Sequence, residues 1–228
     1  MTKEKCVLIL SGGMDSTTLL YHLRHQGYDV HCVSFDYGQR HCKELDYAKL
    51  SCEKLGLIHH VVDLSSLNGL LESALTRDDL AVPFGHYAEE SMKATVVPNR
   101  NMIMLAIAAG YAISIGAKNL YYGAHAGDHA IYPDCRPEFG TAMFKALRLC
   151  HFDNGVSLLT PFMYLTKGDI CALGTQLLVP YQDSWTCYVG GDTPCGKCGA
   201  CVERAEAFEF ARRPDPLLEV GNEDYPNS

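Results

Sequence analysis

A chain of 228 residues with 47% apolar side chains is long enough for one large α/β domain with a small appendage, and apolar enough for a buried core. Nineteen Lys and Arg against 27 Asp and Glu leave a formal charge of −8, which argues against nucleic acid or an anionic membrane as the main ligand. The longest apolar stretch, Met102 to Ala109, is far short of a membrane span, the charged start Met1-Thr2-Lys3-Glu4-Lys5 does not read as a signal peptide, and 11 cysteines without a secretion signal are expected as reduced thiols, some holding metal, in the cytoplasm.

The first predicted element is a strand, Cys6-Val7-Leu8-Ile9-Leu10. A glycine turn, Ser11-Gly12-Gly13-Met14-Asp15-Ser16, leads from it into a helix that begins Thr17-Thr18-Leu19-Leu20-Tyr21. Two glycines let the backbone take positive φ and approach a ligand closely. The helix start offers unpaired N–H groups and the positive end of its dipole, which suit a phosphate or pyrophosphate. The hydroxyls of Ser11, Ser16 and Thr17 add donors, and Asp15 suits a metal ion that accompanies the phosphates. Neither the Walker spacing nor the dinucleotide fingerprint is present. The S-G-G-x-D-S pattern instead resembles the PP-loop of ATP pyrophosphatases, which implies cleavage of ATP between its α and β phosphates and transfer of AMP to a substrate oxygen.

Asp29 to Asp36 predicts a second, buried parallel strand, and the polar turn Tyr37-Gly38-Gln39-Arg40 follows. Leu45, Ala48, Leu50, Cys52 and Leu55 are spaced as a helix that Gly56 ends, and Ile58 to Leu64 predicts a third strand. Residues 76–98, with Pro83, Gly85 and Pro98, predict a long loop over the sheet's carboxyl edge. A helix from about Asn99 to Ile115 is apolar on most faces and is expected to be buried, with Gly116 as its stop. A fourth strand, Leu120 to Gly123, a loop, Ala124 to Arg136, a helix from Pro137 to about Cys150 and a fifth strand, Val156 to Leu159, come next. Thr166 caps a helix through Leu178, with Asp169 in its first turn. Alternating strands and helices predict a Rossmann-like α/β fold, a parallel five-stranded sheet with helices on both faces and right-handed crossovers. Residues 1–182 are expected as the nucleotide and substrate domain. Residues 183–228 are expected as a cysteine-rich segment, a helix and a polar tail packed on that domain.

Cys187, Cys195, Cys198 and Cys201 form C-x7-C-x2-C-x2-C, with glycines that let the backbone wrap a metal. Four thiolates without a fifth ligand describe a closed, structural zinc site, with an iron–sulfur cluster as the alternative. The remaining seven cysteines are expected mostly as small core residues. Cys135 alone lies in a polar loop, and a structural role is favoured for it over a nucleophilic one.

That loop, Gly123 to Phe139, follows a strand end, where ligands bind in open parallel sheets. Asp128, Asp134 and Glu138 suit the N–H edge of a guanine-like base, and Arg136 suits a carboxylate or phosphate through paired donors. The same residues would serve equally as loop salt bridges or helix caps. Val97-Pro98-Asn99-Arg100-Asn101 places a cation at a helix N-terminus, against the dipole, so an anionic partner is expected there. Lys167 and Arg40 are weaker phosphate contacts of the same kind.

Ser11 to Thr18, Phe35 to His41, Val97 to Asn101, Asp128 to Phe139, Leu159-Thr160-Pro161, Ser184 to Tyr188 and the cysteine knuckle together resemble the 7-cyano-7-deazaguanine synthase family, QueC. The matching segments keep the family's order and span nearly the whole chain. Asn99 stands where some members carry glycine, a difference not expected to decide chemistry. The resemblance implies an ATP-dependent ligase that takes 7-carboxy-7-deazaguanine and ammonia to the nitrile through an adenylated carboxylate and an adenylated amide, in queuosine biosynthesis. It implies catalytic roles for Asp15, Arg100 and Arg136. ATP binding is implied at Leu10, Ser11, Gly12, Gly13, Met14 and Asp15, then at Ser16, Thr17, Thr18, Leu19 and Leu20. By analogy the adenine lies along Val33, Ser34 and Phe35, with Arg40 nearby. Base binding falls to Asp128, Asp134, Arg136 and Glu138. Zinc and magnesium are the implied metals, direct nucleic-acid and membrane partners are not expected, and a homodimer is left open. A PP-loop tRNA thiolation enzyme would need a working cysteine pair and a basic module. A non-catalytic zinc-ribbon module would have lost the glycines or Asp15.

Overall fold

The computed structural model describes residues 3–39, 41–67, 69–76, 82–85 and 90–219. Five strands, β1 (Lys5–Ile9), β2 (Asp29–Asp36), β3 (His59–Asp63), β4 (Asn119–Tyr121) and β5 (Ser157–Leu159), form one sheet in the order β3-β2-β1-β4-β5. All four pairings are parallel. A parallel pair cannot be joined by a hairpin, so helices carry the crossovers. These are α1 (Met14–His25), α2 (Lys43–Leu55), α3 (Arg100–Ser114) and α4 (Pro137–Leu149), followed by α5 (Lys167–Gln176) and α6 (Gly199–Phe210).

Strand β1 lies at the centre and is covered on both faces. Val7 packs with Val33, Leu105, Ala108 and Leu120. Cys6 and Leu8, its neighbours in the two-residue alternation, pack with Leu19, Leu20, Cys52 and Ile170 on the other side. This explains why β1 and β2 read as unbroken apolar runs. Strand β3 is the sheet edge, and Val61 is half exposed there.

The chain winds from β1 out to β3 and then returns to β4 on the opposite side of β1. The reversal opens a crevice at the carboxyl ends of β1 and β4, which is where an open α/β sheet binds ligands. The glycine turn leaves β1 and the polar loop leaves β4 at this same place.

Two sequence-based expectations are corrected. The helix expected to be buried on most faces, α3, is buried on one side only, through Met104, Leu105, Ala108, Ala109 and Ala112. Met102, Ala106, Gly110 and Ser114, four residues apart, form an exposed stripe. Alanine and glycine count as apolar in a composition but leave little surface to hide. The fourth strand ends at Tyr121, and Tyr122 and Gly123, just beyond it, line the crevice. Within the expected loop 76–98, Glu90–Thr95 forms 3-10 turns; residues 77–81 and 86–89 lie outside the described residues. The capping box of α5 is present: Thr166 Oγ1 accepts from the Asp169 N–H at 3.1 Å, and Asp169 accepts from the Thr166 N–H at 2.9 Å.

Candidate active site

The crevice is a cavity of about 240 Å³ lined by residues from the glycine turn, the end of β2 and the start of α2, the start of α3, the loop after β4, Lys167 and the cysteine segment. The glycine turn contributes Ser11, Gly13, Asp15 and Ser16. Gly12 has φ +88°, and a Cβ there would sit 1.9 Å from the carbonyl oxygen of Glu44, so the turn fits against α2 only with glycine. The Ser11 and Ser16 hydroxyls are 2.9 Å apart, and each also accepts a backbone N–H of the turn. These bonds hold the turn in shape at the start of α1, whose positive end faces the site.

Not every residue of the expected nucleotide set reaches the cavity. Leu10, Ser11, Gly13, Asp15, Ser16 and Phe35 line it. Met14, Leu19 and Leu20 are core residues. Thr18 bonds the Met14 carbonyl and the Tyr181 hydroxyl, while Thr17, Val33 and Ser34 are buried behind the wall. Arg40 lies outside the described residues.

Charge concentrates on Asp15. Its Oδ2 is 3.3 Å from Lys167 Nζ and 3.7 Å from His125 Nε2. Burial pushes the Asp15 carboxyl up, but Lys167 and His125 outweigh it and hold it below its ordinary value. Lys167 also meets Glu203 at 2.6 Å; burial works against its charge, and Asp15, Glu203 and Asp128 more than restore it. Asp15 Oδ1 is buried without a partner. A bare carboxylate oxygen beside a phosphate cradle fits a magnesium ion. Opposite, the Arg100 guanidinium donates to the Tyr37 hydroxyl at 3.4 Å. Glu44 lines the same wall, its carboxyl pushed up to about 7 by burial despite Arg100 and Lys167.

The polar loop divides into residues that reach the cavity and residues that do not. Asp128, Tyr122, Tyr132 and Cys135 line it. Asp134 accepts from the Asn101 N–H at 3.1 Å and so caps α3. Arg136 is exposed and donates to the His129 carbonyl at 2.8 Å, and Glu138 is exposed in the first turn of α4. Cys135 accepts from Asn101 Nδ2 at 3.2 Å. Burial, with Asp128 and Asp134 nearby, pushes its thiol well up, so it stays protonated. Asn99 has φ +58°, a left-handed conformation that asparagine adopts more readily than most side chains.

The four sulfurs of Cys187, Cys195, Cys198 and Cys201 all lie within 4.8 Å of one another, and Cys195 Sγ is 3.9 Å from Cys201 Sγ. Sulfurs about 2.3 Å from a tetrahedral zinc stand about 3.8 Å apart, so the donor set fits that ion. The N–H groups of Lys197 and Cys198 point at Cys195 Sγ, and that of Cys195 at Cys187 Sγ, as a metal knuckle requires.

The sequence profile described as "Queuosine biosynthesis protein QueC" matches residues 5–212. The chain belongs to the QueC family. A QueC relative from Methanoregula boonei, named 7-cyano-7-deazaguanine synthase, is 59% identical over 213 residues, covering 93% of this chain and 98% of that one. Relatives of the same name from Pseudoalteromonas translucida and Caldicellulosiruptor saccharolyticus are 51% and 52% identical, each over at least 93% of this chain and 94% of their own. Membership of QueC makes the chain an enzyme of queuosine biosynthesis. Among the described residues no helix is long and apolar enough to cross a membrane.

Three cavity residues of this QueC enzyme were missed in sequence or undervalued there. Lys167 was expected only as a weaker phosphate contact, and its bonds to Asp15 and Glu203 form only when α5 packs against α1 and α6. Its place directly after a capping threonine, at the strand-end side of the sheet, was the available signal. Glu44 and Tyr122 carry no local signal, because only tertiary packing turns them into the cavity.

Proposed function

We propose that the chain is a cytoplasmic ATP-dependent C–N ligase that converts 7-carboxy-7-deazaguanine and ammonia to 7-cyano-7-deazaguanine. The supporting observation is that one cavity joins the glycine turn, with Asp15 and Lys167, to the loop that carries Asp128. Carboxylate oxygen is a poor leaving group, so the substrate carboxylate attacks the α phosphorus of ATP and expels pyrophosphate. Ammonia displaces AMP to give the amide and loses a proton. The amide oxygen then attacks the α phosphorus of a second ATP and expels a second pyrophosphate, and loss of AMP and the two N–H protons leaves the nitrile.

The turn's backbone and the Ser11 and Ser16 hydroxyls bind the leaving pyrophosphate. Lys167 and Arg100 offset the charge that develops on it. Asp15 would hold magnesium, which neutralises phosphate charge when bound. Phe35 faces the adenine, and Asp128 accepts from the base. No side chain acts as a covalent nucleophile; the enzyme supplies alignment and charge. The four cysteines would hold a structural zinc in the second part of the chain, residues 183–228, which braces the first, residues 1–182.

The test is mass spectrometry of a reaction with ATP, ammonium and the carboxylate. The nitrile with two AMP per molecule is expected. ADP as the nucleotide product, or no nitrile, overturns the reading. Asp15→Asn is expected to stop AMP release in a folded protein.

A further inference from the structure

Buried hydroxyls without partners are costly and therefore informative. Among the described residues, Asp15, Thr17, Ser51, Tyr122 and Thr186 each leave a buried side-chain oxygen unpaired. Asp15, Tyr122 and Thr186 line the cavity. Tyr122 is 6% exposed and is the first residue after β4, at the place where the strand order reverses.

The surroundings of Tyr122 decide which ligand it meets. After burial, the groups that act most on its phenol are Cys135, Asp134 and Asp128, and together they keep it protonated. The phenol is therefore a donor, set on a cavity wall that it shares with Asp128. Asp15, Lys167 and the glycine turn supply the groups of that cavity that suit phosphate. A guanine-like ring presents one carbonyl oxygen next to a ring N–H and an exocyclic amine, that is, one acceptor beside two donors. Tyr122 supplies the donor and Asp128 the acceptor. Asp128 already accepts from the His125 N–H at 3.3 Å, but a carboxylate has about four lone-pair sites.

We propose that the Tyr122 hydroxyl is a specificity-determining contact, donating to the ring carbonyl of the deazaguanine while Asp128 accepts from the adjacent N–H edge. This rests on the function proposed above and names the group that selects its substrate. An enzyme that hydrogen-bonds a ring carbonyl rejects the analogue in which an amine replaces it, because both partners are then donors.

The experiment compares wild type, Tyr122→Phe and Ser51→Ala, the last removing an unpaired hydroxyl that does not line the cavity. For Tyr122→Phe the KM for the carboxy-deazaguanine is expected to rise about five- to tenfold, with the KM for ATP unchanged. Its preference for the substrate over the 6-amino analogue is expected to fall by a similar factor. Its melting temperature is expected to hold or rise, since an unpaired buried hydroxyl has been removed. Ser51→Ala is expected to keep wild-type kinetics. An unchanged KM of Tyr122→Phe for the base, with a wild type that makes nitrile, overturns the assignment and leaves the function standing. So does a lowered melting temperature with both KM values raised, which would mark Tyr122 as structural. A wild type that makes no nitrile overturns both.

Discussion

The backbone N–H of Trp185 donates to the carbonyl of Gly12 at 3.0 Å, which ties the cysteine segment directly to the phosphate turn. Trp185 is 1% exposed, stacks on Tyr47 and donates from its indole to the Cys187 carbonyl at 3.0 Å. The Trp185 carbonyl in turn lies beside Gly13. The cysteine cluster and the glycine turn are thus neighbours through a single buried tryptophan.

This neighbourhood predicts that losing the metal harms ATP binding as well as stability. Cys198→Ser is expected to lose zinc, melt at lower temperature and show a raised KM for ATP. Elemental analysis, thermal melting and ATP titration check the three parts. A wild-type protein free of zinc would overturn the metal assignment.

Gly12→Ala is expected to lose more than about 2 kcal/mol of stability, because positive φ disfavours a side chain and the new Cβ meets the Glu44 backbone. Urea denaturation measures it. Gly191→Ala, also at positive φ but with only an ordinary contact at 3.7 Å, provides the comparison and is expected to lose less.

Lys167→Met leaves Asp15 and Glu203 without their buried cation and is expected to cost about 3–5 kcal/mol at neutral pH. The pH dependence follows from Asp15, whose folded pKa lies below its unfolded value. In the wild type this group adds stability above the unfolded pKa of about 4 and loses it as pH falls through the lower folded value. Without Lys167 only His125 is left to oppose burial, so the folded pKa rises and the stability that the carboxylate adds above pH 4 shrinks. The gap between wild type and variant is therefore expected to widen from pH 4 to pH 7. Denaturation at the two pH values checks the sign.

Cys135→Ser is expected to retain activity of the same order, since the thiol is held protonated and its contact with Asn101 can be kept by a hydroxyl. Isolation of a thioester on Cys135 from a quenched reaction would show the opposite.

Local features were legible in sequence because their causes are local. The glycine turn, the Thr166–Asp169 capping box, the stop at Gly56 and the cysteine knuckle each depend on residues a few positions apart. Asp134 was ambiguous for the same reason: a carboxylate before a helix reads equally as a base contact or a cap, and the bond to Asn101 depends on a segment 33 residues away. The burial of α3 was misread because alanine and glycine are apolar in kind but small in area.

The order of apolar runs and turns was enough to specify a parallel α/β sheet, a glycine turn at a helix start and a cluster of four cysteines, since backbone geometry and residue spacing are written along the chain. Packing alone decided which polar side chains share the cavity. Lys167 and His125 converge on Asp15, Glu44 backs the turn, and Tyr122 lines the cavity just beyond β4. Arg136 and Glu138 stay on the surface despite their place in the loop. Contacts across more than a hundred residues arise when strand order reverses and helices settle on the sheet, and no local pattern encodes that juxtaposition.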